Sequence, residues 1–209
     1  MYILINHRMR TCGSGTFLIS VSPVIDGMNI RTEVIQSLMN EVSDILSSRR
    51  ELVWVAVRQR AKFEGWLKFE LVHALEKAQS YSNIRVEEPY LIGSNKKADV
   101  AFTFHGRKCF LQLKTCNTNW RVGDVEIRTR PITRNIKGVI DDIEEMRKIK
   151  EPELGIALMV LFPVNINKSL DEIANDIRRI KNGEMLLKAC SLSDKIPIHG
   201  NAGLAIFLF

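Results

Sequence analysis

Three polar side chains within residues 98–115 (ADVAFTFHGRKCFLQLKT) have the types and spacing to act together chemically. Two apolar runs of β-type residues flank His105-Gly106, and an X-Gly pair between such runs predicts a two-residue hairpin turn. That turn fixes the strand register and places Asp99 directly opposite Gln112. Since side chains alternate along a strand, Lys114 is expected on the same face as Gln112. One carboxylate, one amide oxygen and one ammonium should therefore converge, with Cβ atoms about 5 to 8 Å apart.

Oxygen ligands of this kind favour a hard cation. A carboxylate, an amide oxygen and the backbone carbonyl of Leu113 suit Mg²⁺ better than zinc. A neighbouring lysine could orient or deprotonate a water, or neutralise charge that develops on a phosphate. The expected reaction is metal-assisted hydrolysis of a phosphodiester bond. The alternative is that Asp99 and Lys114 lie at strand ends and simply face solvent.

A glutamate on a preceding helix is the fourth candidate. The segment KFEGWLKFELVHALEKA reads as a helix whose apolar stripe includes Phe63, Leu67 and Leu71, and Glu70 falls inside that stripe by this assignment. An acid within an apolar stripe needs a partner, and a metal-bound water would be one. Glu64 also borders the stripe, but Arg60 and Lys68 stand four residues to either side, so an ordinary surface ion pair is expected to account for it.

Together, Glu70, Asp99 and Gln112-Leu113-Lys114 resemble the PD-(D/E)xK nuclease superfamily. The segment FELVHAL, followed by Asp99 and the segment LQLKT, is most similar to the Mrr-like variant of the superfamily, which carries Gln in place of the second acid. The resemblance covers about 45 residues, from Phe69 to Thr115. Ala98 stands where the superfamily's name-giving proline would be.

The resemblance implies a restriction endonuclease-like fold and a Mg²⁺ (or Mn²⁺) site. Asp99 would be the central ligand, Gln112 an auxiliary ligand and the Leu113 carbonyl a third, while Glu70 would bind through water. Lys114 would position the attacking water. The implied activity is that of a metal-dependent deoxyribonuclease of restriction or repair type.

Basic residues gather just after this motif. The chain carries a formal net charge of +6, and between positions 107 and 137 only Asp124 and Glu126 oppose eight Lys and Arg residues. Such segregation favours a phosphate-binding segment. The residues expected to bind the phosphate backbone of duplex DNA are Arg121, Arg128, Arg130, Arg134 and Lys137.

The elements that must position these residues are predicted from periodicity. Helices are expected at 30–46, 51–79, 136–149 and 170–180, and strands at 84–86, 90–92, 99–104, 108–115, 155–164 and 204–209. This order predicts an α/β fold with a central mixed sheet covered by helices on both faces. We interpret residues 1–28 as a loosely attached N-terminal extension and 29–209 as one nuclease-like domain.

Composition excludes several classes of protein. With 209 residues and 45% hydrophobic content the chain can bury a substantial core. No apolar run reaches the ~20 residues of a membrane span, and the four cysteines lack zinc spacing. We therefore expect a cytoplasmic protein without membrane partners. Cys109 is expected in the core.

Other features have simpler interpretations. Glu70-x-x-His73 is half of a di-iron motif whose second copy is missing from the sequence. The acidic run Asp141, Asp142, Glu144 and Glu145 is expected to be a solvated helix face, and Trp120 to pack rather than to stack on a base. Two further functions stay open: a catalytically weak nucleic-acid-binding module of the same fold, and an interaction protein that pairs through the helix at 30–46, for example as a homodimer.

Overall fold

The computed structural model describes residues 27–91, 95–123, 125, 132–190 and 192–209. Within these residues the chain forms six helices and six strands. In chain order they are α1 (Gly27–Ser48), α2 (Arg50–Gln59), α3 (Glu64–Lys77), β1 (Tyr81–Pro89), β2 (Lys97–Phe104), β3 (Arg107–Asn117), α4 (Ile132–Met146), β4 (Leu154–Asn165), α5 (Leu170–Arg178), α6 (Gly183–Ala189), β5 (Leu192–His199) and β6 (Ala202–Leu208).

The strands form one mixed sheet in the order β1-β2-β3-β4-β6-β5. Strands β3 and β4 are parallel, and every other neighbouring pair is antiparallel. A parallel pair needs a crossover connection, and α4 supplies it. Strand β4 lies in the middle of the sheet, and its apolar run is buried from Leu154 to Val164. A continuous apolar run is typical of a strand covered on both faces, so the predicted buried strand is confirmed.

Helices cover both faces of this sheet. Helices α1, α2 and α3 contribute to one hydrophobic core, represented by Leu38, Val53 and Leu67. Helices α4, α5 and α6 contribute to the other core. The predicted α/β architecture, a central mixed sheet flanked by helices, is therefore confirmed. Cys109 is fully buried in the first core, as expected.

The amphipathic face of α1 is used within the chain itself. Val34, Leu38, Val42 and Leu46 recur every four residues, and all are fully buried. They belong to the core beneath the sheet rather than to an exposed stripe. The helix at 30–46 therefore has its apolar partner in this domain, which removes the reason for assigning it to a second chain.

The helix predicted at 51–79 is two helices. Helix α2 ends at Gln59 because Arg60 adopts a left-handed conformation, with φ 51°, which a helix cannot continue through. Helix α3 begins at Glu64. The helical phase therefore restarts between residues 60 and 63, and Arg60 is not part of the helix that carries Glu64.

Other boundaries differ in smaller ways. The strand expected at 84–86 lies within a longer strand, β1, which ends at Pro89. Tyr90 and Leu91, expected in a further strand at 90–92, belong to no strand, and residue 92 lies outside the described residues. Helix α6 and strand β5 were not predicted, and β5 forms the sheet edge next to β6. Among the described helices, none is both long and apolar enough to cross a membrane.

The start of β4 offers a test of the packing that holds α4, because a Cβ atom at Gly155 would lie 2.1 Å from the backbone oxygen of Met146. Gly155→Ala should therefore lower the free energy of unfolding by about 1 to 3 kcal/mol. A Cβ at Gly138, within α4, meets nothing within 4 Å. Gly138→Ala should instead stabilise the protein by about 0.5 to 1 kcal/mol, because alanine loses less backbone entropy in a helix. Urea unfolding of both variants measures the contrast, and equal effects would contradict this packing.

Candidate functional site

The hairpin between β2 and β3 has the predicted turn and register. His105 and Gly106 have φ values of 47° and 82°, the left-handed conformation that a tight two-residue hairpin requires. The pairs that follow, Phe104 with Arg107 and Phe102 with Cys109, are those expected from the sequence. The register ends at the pair Val100 and Leu111, one step before Asp99 and Gln112.

Beyond that pair, β2 separates from β3 but continues to pair with β1, as far as Lys97 and Pro89. A gap opens between β2 and β3, and side chains take over the hydrogen bonds that a partner strand would make. The backbone N–H of Leu113 donates to Oδ2 of Asp99 at 2.9 Å. Nε2 of Gln112 donates to the carbonyl of Lys97 at 2.7 Å. Asp99 and Gln112 are therefore fixed at the rim of the gap.

A second carboxylate enters the gap from α3. The N–H of Thr115 donates to Oε2 of Glu64 at 3.1 Å. Glu64 is the first residue of α3, where the helix dipole favours a negative charge. The N–H and C=O groups of one strand residue point to the same edge, so the Leu113 carbonyl, predicted as a metal ligand, points into the gap between the two carboxylates.

Lys114 lies among three acids. Its Nζ is 3.4 Å from Oδ2 of Asp142 and 4.0 Å from Oε1 of Glu64. Burial acts to lower the pKa of Lys114, but the charges of Asp142, Glu64 and Asp99 outweigh it and raise the pKa. Lys114 is therefore a protonated cation at neutral pH in the metal-free protein.

Asp142 reaches the site from α4, on the opposite face of the sheet from α3. Burial raises its pKa; Lys114 opposes this shift, and the charges of Asp99 and Glu64 add to it. Its Oδ2 is buried and, within the described part of the chain, forms an ion pair with Lys114 but no hydrogen bond. Together these contacts show a site with more negative charge than its lysine compensates.

Lys68 is a second cation at the gap. It lies one turn after Glu64 on α3, and its Nζ is 3.7 Å from Oδ1 of Asp99 and 2.5 Å from Oε1 of Glu87. The hydrogen bond to Glu87 is the main reason why the pKa of Lys68 is raised. Sequence reasoning missed this residue, having paired it with Glu64.

The prediction that Glu70 faces the sheet is wrong. Its side chain is 27% exposed and lies 3.7 Å from Nε of Arg49, on the flank of α3 that carries Trp66, Phe69 and His73. Glu64, which had been assigned to a surface ion pair, occupies the place expected for Glu70.

The break before α3 explains this error. Arg60, expected to pair with Glu64 within one helix, lies outside α3. With the helix starting at Glu64, the buried stripe is Leu67, Leu71 and Leu75. Glu64 lies three residues before Leu67 and seven before Leu71, so it shares their face. The spacing of Glu64 to Leu67 and Leu71 can be read from the sequence, and it could have identified Glu64 as the glutamate that faces the sheet.

The acidic run on α4 is only partly a solvated face. Asp141 is exposed and pairs with Lys137, as a surface residue would. Asp142 and Glu145, however, are each 22% exposed, and Asp142 belongs to the site. The expectation that the whole run faces solvent is wrong. Asp142 lies three residues after the buried Val139 and close to its face of α4, and Glu145 lies three residues after Asp142.

The structure describes three of the five residues that were predicted to bind nucleic acid. Arg121 and Arg134 are exposed, whereas Lys137 hydrogen-bonds Asp141 at 2.8 Å. Arg128 and Arg130 lie outside the described residues. Trp120 is partly buried and packs against the hydrophobic cores, as expected.

A buried arginine supports the far end of β3. The Arg60 guanidinium is only 2% exposed and donates to the carbonyls of Thr118 and Trp120. Asn117 donates back to the Arg60 carbonyl at 2.8 Å, and Asn135 of α4 donates to the Asn117 carbonyl at 3.1 Å. This network ties the residues before α3 to β3 and to α4, and thereby holds Glu64 and Asp142 against the same strand.

The residues at the gap fit a hard divalent cation. Carboxylates from Asp99 and Glu64, the amide of Gln112 and the Leu113 carbonyl are the oxygen donors that Mg²⁺ prefers. The buried Oδ2 of Asp142 adds a third acidic group beside the gap, and this group is paired with Lys114. Within the described ranges, no three His, Cys, Asp or Glu side chains are arranged to hold a metal by themselves. Mg²⁺ commonly uses one or two carboxylates and keeps several waters, so this donor set suffices.

Asp142→Asn should lower the pKa of Lys114, because it removes the strongest of the charges that raise it without changing the size of the side chain. Asp141→Asn is the matched control, because Asp141 is on the same helix but pairs with Lys137. The shift of the Lys114 side-chain ¹³C resonance with pH measures both variants. An unchanged pKa in Asp142→Asn would contradict the ion pair.

Comparisons of the chain with family models, with curated proteins and with solved structures found no match.

Proposed function

We propose that this chain is a Mg²⁺-dependent endonuclease that hydrolyses DNA phosphodiester bonds, of the PD-(D/E)xK type that its motif resembles. One observation carries the proposal. Two carboxylates from different elements, Asp99 and Glu64, accept hydrogen bonds from the N–H groups of Leu113 and Thr115 on one edge of β3, and Nζ of Lys114 lies 4.0 Å from Glu64. Acids held side by side next to a fixed cation are the arrangement that metal-assisted phosphoryl chemistry needs.

Each side chain has a role that follows from its contacts. Asp99, Glu64, Gln112 and the Leu113 carbonyl would hold Mg²⁺, which supplies charge for the phosphate and lowers the pKa of a bound water. The N–H groups of Leu113 and Thr115 orient the two carboxylates. Because these hydrogen bonds use the polypeptide backbone, the carboxylates are oriented before substrate arrives.

Lys114 acts as a cation rather than as a base. Its raised pKa keeps it protonated, so it can donate to a water or to a phosphate oxygen and offset the negative charge that develops there. Asp142 holds the ammonium from the α4 side at 3.4 Å. Asp142 is therefore a positioning residue for Lys114.

The basic residues after β3 would bind the DNA backbone. Arg121 and Arg134 are exposed on the connection between β3 and β4, and Arg128 and Arg130 lie between them in sequence. Contacts of this kind carry no base information and set position and affinity. The proposed substrate is duplex DNA.

A catalytically weak nucleic-acid-binding module of the same fold is the second candidate. One observation favours it: Nζ of Lys68 is 3.7 Å from Asp99, so a cation of the protein already offsets part of the charge that would attract a metal. In such a module the acids would serve to hold the two lysines, and phosphate would bind without being cut.

Asp99→Asn, Glu64→Gln and Lys114→Met should each reduce Mg²⁺-dependent nicking of supercoiled plasmid by at least about 100-fold, because each removes a charge at the reacting phosphate. Asn and Gln are chosen because each retains an oxygen to accept the N–H of Leu113 or Thr115, so the fold is preserved. Chelation with EDTA should abolish nicking by the unchanged protein.

Glu70→Gln is the matched control on the same helix, and it should retain nicking within about twofold, because Glu70 contacts Arg49 outside the gap. Greater loss in Glu70→Gln than in Glu64→Gln would show that the wrong face of α3 has been assigned. Absence of Mg²⁺-dependent cutting together with intact DNA binding would favour the binding module.

Arg121→Gln and Arg134→Gln should each weaken duplex binding about equally for all sequences and reduce the slope of log affinity against log salt by roughly 0.9. Lys137→Gln should change the slope less, because Asp141 already neutralises Lys137. Titrations in Ca²⁺ over a range of salt concentrations measure these slopes. Unchanged slopes in both arginine variants would place the binding surface elsewhere.

A further inference from the structure

One face of β3 continues past the candidate site. Gln112 and Lys114 point to the α4 side, and so do the preceding residues at the same spacing, Lys108 and Phe110. Two residues along a strand span roughly 7 Å. Phe110 therefore lies one such step from Gln112 and about two from Lys114, on one continuous row of side chains.

A cavity of about 500 Å³ opens on this row. Its aromatic walls are Tyr90 and Phe110, whose ring centroids are 6.1 Å apart. Nζ of Lys108 lies 4.7 Å from the centroid of the Phe110 ring. The remaining lining includes Lys148, Lys150 and Glu153. This volume is in the range of small-molecule sites.

Tyr90 joins the cavity to the candidate site. Its ring lines the cavity, and Gln112 lies close enough to its hydroxyl to act on the pKa of Tyr90. Burial raises the pKa of Tyr90, with Glu145 and Asp142 adding to the effect, so its hydroxyl is protonated at neutral pH. A group lying on the Tyr90 ring would therefore be close to Gln112, one of the residues that we assign to the metal.

The charges of the cavity favour an anion. Three lysines and one glutamate line it. Lys148 pairs with Glu145 at 2.6 Å and Lys108 with Glu88 at 3.5 Å, contacts that hold both ammonium groups at the cavity and offset part of their charge. An aromatic wall beside fixed cations is the combination by which proteins bind single-stranded nucleic acid, with the base on the ring and the phosphate on the cations.

We propose that this cavity binds an unpaired nucleotide of the DNA strand next to the phosphate being cut, with its base against Tyr90 and its phosphate at Lys148 and Lys150. The inference rests on the proposed function for the position of the phosphate. It adds a substrate preference: the strand must be unstacked beside the cutting point, as at a flap, a gap or a distorted base pair. A base in a regular duplex is stacked on its neighbours and cannot enter the cavity without being flipped out.

Binding of a short fluorescein-labelled single strand of mixed sequence, measured by anisotropy in EDTA, tests the cavity without chemistry. Tyr90→Leu should weaken binding by at least about fivefold, because it removes the stacking surface. Tyr90→Phe should retain binding, because the ring remains. Phe69→Leu is the control, an exposed aromatic on α3 outside the cavity, and it should bind like the unchanged protein.

The double variant Lys148→Gln with Lys150→Gln gives an independent measurement that does not depend on Tyr90→Leu folding. It should reduce the salt slope for the single strand, by up to roughly 0.7 for the loss of Lys150 and by less for the loss of Lys148, because Glu145 already offsets the charge of Lys148. Lys181→Gln with Lys188→Gln, which lies near α6, should leave the slope unchanged. Thermal unfolding followed by circular dichroism confirms that each variant is folded.

The outcomes separate this inference from the proposed function. Unchanged single-strand binding in Tyr90→Leu, equal losses in Tyr90→Leu and Tyr90→Phe, or an unchanged salt slope in the Lys148 and Lys150 variant would overturn the cavity assignment even if Mg²⁺-dependent nicking is observed. Conversely, single-strand binding that depends on the Tyr90 ring and on both lysines would support the cavity even if no nicking is found, and would then leave a binding protein rather than a nuclease.

Discussion

Two hydrogen bonds from the backbone of β3 to carboxylates determine the arrangement of the rest of the site. Where β2 leaves β3, the N–H groups of Leu113 and Thr115 lose a partner strand, and each buried unsatisfied donor would cost about 1 to 3 kcal/mol. Asp99 and Glu64 accept them. The same bonds that stabilise an open edge in the sheet therefore orient two acids toward one place, and the structural and the chemical requirements on these residues coincide.

Elements from both layers meet at this edge. Helix α3 contributes Glu64 and Lys68, β2 contributes Asp99, and β3 contributes Lys114. Helix α4, in the connection between β3 and β4, contributes Asp142. The buried Arg60 fixes the chain before α3 to the end of β3. The charges are consequently shared among four elements, and the position of Lys114 depends on α4 as much as on its own strand.

Local rules in the sequence were sufficient for the hairpin. The His105-Gly106 turn fixes the register, and alternation then gives the faces of Gln112 and Lys114, because both depend on only a few neighbouring residues. The central mixed sheet also followed from the order of apolar runs. Glu64 was missed because Arg60 and Lys68 offered it partners within one helix. Nothing in the residue types around Arg60 marks the left-handed turn that places Arg60 outside α3. Asp142 and Tyr90 were missed because they reach the site from distant segments, and periodicity alone does not show which of several acids on a helix meets a lysine on the sheet.

The alternation of β3 has an evolutionary consequence. Lys108, Phe110, Gln112 and Lys114 share one face, while Cys109, Leu111 and Leu113 fill the core on the other. Loss or gain of a single residue within this stretch would exchange the two faces for every position beyond it, burying a lysine and exposing a leucine at once. Insertions and deletions can be accommodated in the connections that flank β3. Within β3 we expect substitutions instead, so the spacing between Gln112 and Lys114 should stay constant among related sequences.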